Sequence, residues 1–210
     1  MGRFSYPLLA SVIPPSTLIK YTTVVETGTL FGEGTELMSQ NFKTVHTIEI
    51  QEALFEKAKA KFQGRPNIHC HLGDSVDVLR AFDCQEPTVF FLDAHWSGDG
   101  SVDWKTSSWK GYEVDTGFRG TNPIDPHNQN PLLEEIEILV KKIQGEFILY
   151  IDDADKFDEE GKGLENRCFT GENWTHLSLQ KIESVLSGRI GVKYRSFDQI
   201  IYLVKAVEAS

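Results

Sequence analysis

The sequence predicts an α/β domain with a seven-stranded, mainly parallel sheet, helices on both faces and a reversed C-terminal hairpin. Three observations predict it. Short apolar runs rich in β-branched and aromatic residues alternate with segments whose apolar residues recur at helical spacing. Several of the runs end in an acidic residue, and in such sheets ligands bind at the carboxyl ends of strands. The length of 210 residues and the 40% hydrophobic composition suit one core. Residues 1–210 are therefore read as a single domain, with 1–20 as an N-terminal extension.

The elements follow in order. The run 21–26 reads as the first strand, and residues 45–50, 68–72, 88–92 and 147–151 as the next four. The runs after Lys193 and around 200–204 read as the closing hairpin. Leu54, Ala58 and Phe62 mark one helix face, Leu132, Ile136, Leu139 and Ile143 a second, and Leu179, Ile182 and Leu186 a third. Two segments break this rhythm. Residues 97–130 are rich in Gly, Asp, Asn and Trp without a clear period, and 158–173 form a second polar insertion. Both follow strand ends, so 97–130 is expected to be a lid over the site.

Charge and cysteine usage narrow the class. The formal net charge is −10, which argues against a general nucleic-acid or anionic-membrane surface. No apolar run approaches the ~18 residues of a membrane span. Cys70, Cys84 and Cys168 are scattered and odd in number, which fits neither a disulfide framework nor a zinc site and points to a reducing, cytoplasmic compartment.

The stretch Glu26-Thr27-Gly28-Thr29-Leu30-Phe31-Gly32-Glu33-Gly34-Thr35 places an acid at a strand end, then a glycine turn, then a helix start. Glycines admit close approach of the backbone to a ligand, and a helix N-terminus supplies free N–H groups. Dinucleotide-binding turns use Gly-x-Gly-x-x-Gly, whereas this spacing is Gly28-x-x-x-Gly32-x-Gly34. Glu26 and Glu33 would repel a pyrophosphate, while a cofactor with a sulfonium and an α-amino group tolerates them. Glu49 at the second strand end can accept both hydroxyls of a ribose, and Asp74 after the third can reach an adenine edge.

This set resembles the class I S-adenosylmethionine-dependent methyltransferases, which have a Rossmann-like sheet, over roughly residues 20–205. The resemblance implies S-adenosylmethionine as cofactor, held by Glu26, Thr27, Gly28, Thr29, Gly32, Gly34, Glu49, Asp74 and Ser75. Phe90-Phe91-Leu92-Asp93-Ala94-His95 and Tyr150-Ile151-Asp152-Asp153 follow the fourth and fifth strands. Close ionised carboxylates need a compensating cation, and hard oxygen ligands suit Mg²⁺ or Mn²⁺. The pattern is similar to metal-dependent O-methyltransferases of the catechol type and, more closely, the macrolide-sugar (macrocin) type. That likeness implies Asp93, Asp152 and Asp153 as metal ligands, and catalysis by lowering the pKa of a bound hydroxyl. His95 is the candidate general base. Asp93 as base and His95 as ligand remain open at this point.

Trp96, Trp104, Trp109, Tyr112 and Phe118 are interleaved with polar residues in the lid segment, and such surfaces stack on sugar rings. The wording Leu92-Asp93-Ala94-His95-Trp96 with Pro131-Leu132-Leu133-Glu134-Glu135 resembles a bacterial and viral branch found beside glycan-building enzymes, including the methyltransferase domain of chlorovirus glycosyltransferase proteins. The resemblance implies O-methylation of a sugar hydroxyl, a terminal deoxyhexose such as rhamnose being the first choice. It also allows the domain to be part of a longer glycan-building polypeptide, in the host cytoplasm if viral. A small phenolic acceptor is the nearest rival. A nicotinamide-binding oxidoreductase and a non-catalytic binding module are the competing classes. The acidic balance and the lack of an Asn/Asp-Pro-Pro-Tyr type motif after the fourth strand argue against a nucleic-acid substrate.

Overall fold

A computed structural model describes residues 4–95, 107–109, 112–114, 130–157 and 173–207. Its strands are β1 (Thr23–Thr27), β2 (Thr44–Glu49), β3 (Ile68–Leu72), β4 (Thr88–Leu92), β5 (Ser107–Trp109), β6 (Tyr112–Val114), β7 (Phe147–Ile151), β8 (Ile190–Arg195) and β9 (Ile200–Val204). Seven of them form one sheet in the order β3-β2-β1-β4-β7-β9-β8. The first five in that order are parallel, and β9 runs antiparallel between β7 and β8. The mainly parallel sheet and the reversed hairpin thus stand as the sequence predicts. β5 and β6 pair antiparallel within the expected lid, with Trp109 opposite Tyr112. Trp96, Trp104, Phe118 and the rest of 97–129 lie outside the described residues.

Alternation along the strands feeds two apolar layers. Val25, Phe90, Leu149 and Tyr202 pack on one face against α5 (Ser75–Ala81), α6 (Leu132–Lys142) and α7 (Leu179–Val185). Val24, Phe91, Tyr150 and Ile201 pack on the other face against α1 (Tyr6–Val12), α2 (Pro15–Leu18), α3 (Glu33–Ser39) and α4 (Glu52–Lys61). Parallel strands covered on both faces read as continuous apolar runs, and β1, β4, β7 and β9 are buried throughout. Phe90 is fully buried, so Phe90→Ala is expected to cost about 3–5 kcal/mol.

Three short helices were not anticipated from the sequence. α1 and α5 have seven residues each and α2 has four, too few turns for a helical period to declare itself. Local caps start two of them. Ser5 Oγ accepts from Leu8 N at 3.3 Å, and Asp74 Oδ1 accepts from Val76 N at 2.8 Å. Phe4, Leu9 and Ile13 are buried, so the segment expected as an extension contributes to the core. Among the described residues no helix is long and apolar enough to cross a membrane, and Cys70 and Cys84 are free thiols.

The register places the site. Glu26 pairs with Phe91, Thr27 with Leu92, and Leu92 with Ile151. The strands β1, β4 and β7 therefore end level, and Asp93 and Asp152 leave the sheet side by side. Asp93 N donates to Thr27 O at 3.3 Å and Asp152 N to Leu92 O at 3.2 Å. The chain leaves β1 toward β2 on one side and crosses to β4 on the other. This reversal is where a crevice opens in an open α/β sheet.

Candidate active site

The turn after β1 is held from inside. Gly28 has φ +86°, and a Cβ there would lie 2.8 Å from the backbone oxygen of Asp93. Gly34 sits under Glu26, whose Oε1 a Cβ would run into. Gly32 also has positive φ, at +68°, and faces the Phe62 ring. The expectation that these glycines admit a ligand is thus joined by a second reason, the passage of the protein's own chain and side chains.

Glu26 is buried, and its Oε2 accepts from Thr35 Oγ1 at 2.5 Å and from Thr47 Oγ1 at 2.7 Å. Burial pushes its carboxyl up to about 7, against the two hydroxyl donors that favour the ionised form. The hydroxyls of Thr29 and Thr47 are hydrogen-bonded at 2.5 Å. The Thr35–Thr47–Thr29 hydroxyl network is one that sequence reasoning missed. Lys61 Nζ closes the turn by donating to Phe31 O at 3.1 Å and Gly32 O at 2.9 Å.

Glu49 is buried at the end of β2, and burial raises its pKa. Its Oε2 accepts from Leu30 N at 2.8 Å and its Oε1 from Gln51 N at 2.9 Å. Leu30, at φ +49°, is held in a conformation rare for leucine. A carboxylate oxygen can accept more than one hydrogen bond. Asp74 caps α5, and Ser75 is buried next to it.

Asp93, His95 and Asp153 offer ligand atoms that all lie within 4.8 Å of one another. His95 Nδ1 is 3.6 Å from Asp93 Oδ1, and Nε2 is 3.2 Å from Asp153 Oδ2. Asp153 takes a left-handed conformation, φ 54°, that turns it toward the histidine. Lys156 Nζ stands 3.9 Å from its Oδ1, and the Trp174 ring lies tilted against His95 with centroids 5.0 Å apart. Asp152 is not in this cluster. It is buried and accepts from Gln199 Nε2 at 3.3 Å through Oδ1. Burial raises Asp93 well above the usual carboxylate range, and the charges of Asp152 and Asp153 add to this. Asp152 is raised by burial and by Asp153. Lys156 brings a positive charge to Asp153.

A small cavity lies behind this cluster, lined by Asp93, His95, Asn130, Glu135, Asp152 and Trp174. Glu135, in the first turn of α6, is completely buried, and burial pushes its carboxyl up to about 7. The hydroxyls of Ser75 and Thr27 lie near enough to favour its ionised form. Glu135, Asn130 and Trp174 are site residues that sequence reasoning missed.

No family model and no curated protein matches this sequence. Solved structures do match the fold. The chain is similar to the O-methyltransferase from Bacillus cereus in complex with S-adenosylhomocysteine, with a TM-score of 0.52 and 16% identity over 88% of this chain and 74% of that one. A methyltransferase of Podospora anserina, also bound to S-adenosylhomocysteine, gives a TM-score of 0.52 and 12% identity over 89% of this chain and 72% of that one. The fold is that of the class I S-adenosylmethionine-dependent methyltransferases.

Proposed function

We propose that this chain is an S-adenosylmethionine-dependent, divalent-metal-assisted O-methyltransferase acting on a sugar hydroxyl. One observation carries the reading. The glycine turn that would hold the methyl donor packs directly on the backbone of Asp93, with the Cβ position of Gly28 2.8 Å from the Asp93 oxygen. Donor cradle and acidic cluster are therefore two walls of one crevice. The solved O-methyltransferase with the same fold and bound S-adenosylhomocysteine adds support, as do the aromatic and polar residues of 97–130 for a saccharide acceptor.

In this reading Gly28, Gly32 and Gly34, with Thr27 and Thr29, shape the methionine end of the donor site. Glu26 braces the turn from below, Glu49 takes the ribose, and Asp74 and Ser75 border the adenine. The carboxylates of Asp93 and Asp153, with oxygens within 4.8 Å of each other, are hard oxygen donors that fit Mg²⁺ or Mn²⁺. Asp93 and Asp153 would hold the cation, with Asp152 the adjacent carboxylate. A bound cation lowers the pKa of the acceptor hydroxyl. His95 removes the proton, and the carboxylates at its two ring nitrogens stabilise the imidazolium so formed. The oxygen then attacks the methyl carbon in line as the carbon–sulfur bond breaks, releasing S-adenosylhomocysteine. The protein's share is alignment and exclusion of water.

The test combines calorimetry with S-adenosylhomocysteine, Mn²⁺ binding, and methyl transfer to a panel of glycosides with and without chelator. Donor-product binding, Mn²⁺ binding and chelator-sensitive transfer are expected. His95→Gln is expected to keep Mn²⁺ and lose transfer. Transfer that survives chelation would overturn the metal assignment, and a preference for catechols would move the acceptor to the phenolic class.

A further inference from the structure

Asp152 is buried beside other acids, and a neutral group holds it. The ion pairs of the cluster go to Asp93 and Asp153. Asp152 instead accepts from the side-chain amide of Gln199, Nε2 to Oδ1, at 3.3 Å, and that bond favours its ionised form. Its other oxygen, Oδ2, has no hydrogen-bond partner among the described residues. Asp152 lines the cavity together with Asp93 and His95. Apolar residues of similar volume often serve stability as well as buried charges do. A buried acid that is fixed without being neutralised therefore keeps its charge for another purpose.

Gln199 is itself built into place. The antiparallel pairing of Ile151 with Ile200 sets Gln199, the residue before β9, beside Asp152, the residue after β7. The turn that carries it is pinned. Gln199 N donates to Ser196 Oγ at 3.1 Å, and Ala154 N donates to Asp198 O at 2.8 Å. The second bond ties this turn to the chain just past Asp153. A side-chain amide can present either its donor or its acceptor end, and Tyr150 decides which. The tyrosine hydroxyl donates to Gln199 Oε1 at 2.7 Å, so Nε2 is the end turned to Asp152. The Tyr150 ring is fully buried and held by Phe4 and Phe91, with ring centroids 5.4 Å and 5.3 Å away. Asp152 N donates to Leu92 O at 3.2 Å. The backbone and Oδ1 of Asp152 are thus both fixed, and Oδ2 is what it has left to offer.

We propose that Gln199 is a positioning residue for the cation. With Tyr150 setting the direction of its amide, it holds Asp152 so that the charge and the open oxygen of that carboxylate serve the cation carried by Asp93 and Asp153. This rests on the metal-assisted reading of the site and deepens it. Gln199 and Tyr150 act through Asp152 and not on the reacting atoms.

The experiment measures Mn²⁺ affinity by electron paramagnetic resonance and S-adenosylhomocysteine affinity by calorimetry. The proteins are wild type, Gln199→Leu, Tyr150→Phe and Asp152→Ala, with each of the first two changes also combined with the third. Gln199→Leu is expected to weaken Mn²⁺ binding about tenfold, the scale of a lost partner of a metal-site carboxylate. Tyr150→Phe leaves the amide free to turn and is expected to weaken it about threefold. S-adenosylhomocysteine affinity stays at the wild-type value in both. In the Asp152→Ala background neither change is expected to weaken Mn²⁺ further, because the carboxylate they position is gone. A merely structural role would lower affinity by the same factor in both backgrounds. The tyrosine variant removes a single oxygen and carries the comparison should the leucine variant fail to fold. Wild-type Mn²⁺ affinity in folded Gln199→Leu overturns the inference, or in Tyr150→Phe where the leucine variant does not fold. So does a loss that persists undiminished without Asp152. Wild type that binds S-adenosylhomocysteine but no Mn²⁺ would instead overturn the metal assignment of the proposed function.

Discussion

The turn after β1 and the cavity beyond β4 and β7 lie wall to wall, but they are finished to different degrees. In the turn, both buried acids have internal partners. Glu26 holds two threonine hydroxyls and Glu49 holds two backbone N–H groups. Across the wall, Glu135 has only the nearby hydroxyls of Ser75 and Thr27, and Asp152 and Asn130 each leave one atom unmet. The first region is preorganised, and a donor would find it already shaped. The second is complete only when something polar enters it. Preorganisation suits a cofactor that is the same in every cycle, and unmet polar atoms suit an acceptor that must be told from its relatives.

The largest effect that would break this contrast is at Asp93. Asp93→Asn keeps the backbone against Gly28 but removes a ligand charge. Mn²⁺ affinity, read by electron paramagnetic resonance, is expected to fall about 100-fold or more, while S-adenosylhomocysteine binds as in wild type. A matching loss of both would mean that the two walls are not separable. Next comes Gly28→Ala. It puts a side chain at φ +86° and against a backbone oxygen, and is expected to cost about 2–4 kcal/mol in thermal unfolding and to abolish donor binding. Glu49→Gln then sharpens the donor side. One face of the new amide turns a donor toward Leu30 N or Gln51 N, so calorimetric affinity for S-adenosylhomocysteine is expected to drop about tenfold.

The smallest effect is on pH dependence. Glu135 has its folded pKa raised to about 7 by burial, so the folded chain binds the extra proton. The stability this gives is present below the unfolded carboxylate range and is lost as pH rises through about 7. Glu135→Gln does not titrate, so its stability relative to wild type is expected to grow between about pH 5 and about pH 7.5 in urea unfolding. His46, which burial and its neighbours His71 and His69 lower to about 4, gives the opposite trend in both proteins and cancels in the difference.

The sheet was legible because its strands are continuous apolar runs and their acidic ends follow directly in the chain. Glu26, Glu49, Asp93 and Asp153 were found from that pattern. The register that sets Thr27 beside Leu92, and Leu92 beside Ile151, brings them together. Asp152 and Asp153 looked equivalent in sequence, yet only Asp153 joins the cluster, because its left-handed backbone turns it toward His95 while Asp152 goes to Gln199. Glu135 was hidden by Glu134. Two acids in a first helical turn read as favourable charges at a helix start. The signal was nonetheless present, since residue 135 falls on the apolar stripe of Leu132, Ile136 and Leu139. Asn130 and Trp174 lie in irregular segments whose partners are distant in sequence, where no local period speaks for them.

One contact ties the halves together. The space a Cβ of Gly28 would need is taken by the backbone of Asp93 and Ala94, with no side chain between them to yield. A shift of the turn would therefore meet the backbone of Asp93 first. Under the proposed function, any coupling of donor and metal through this contact would be equal in both directions.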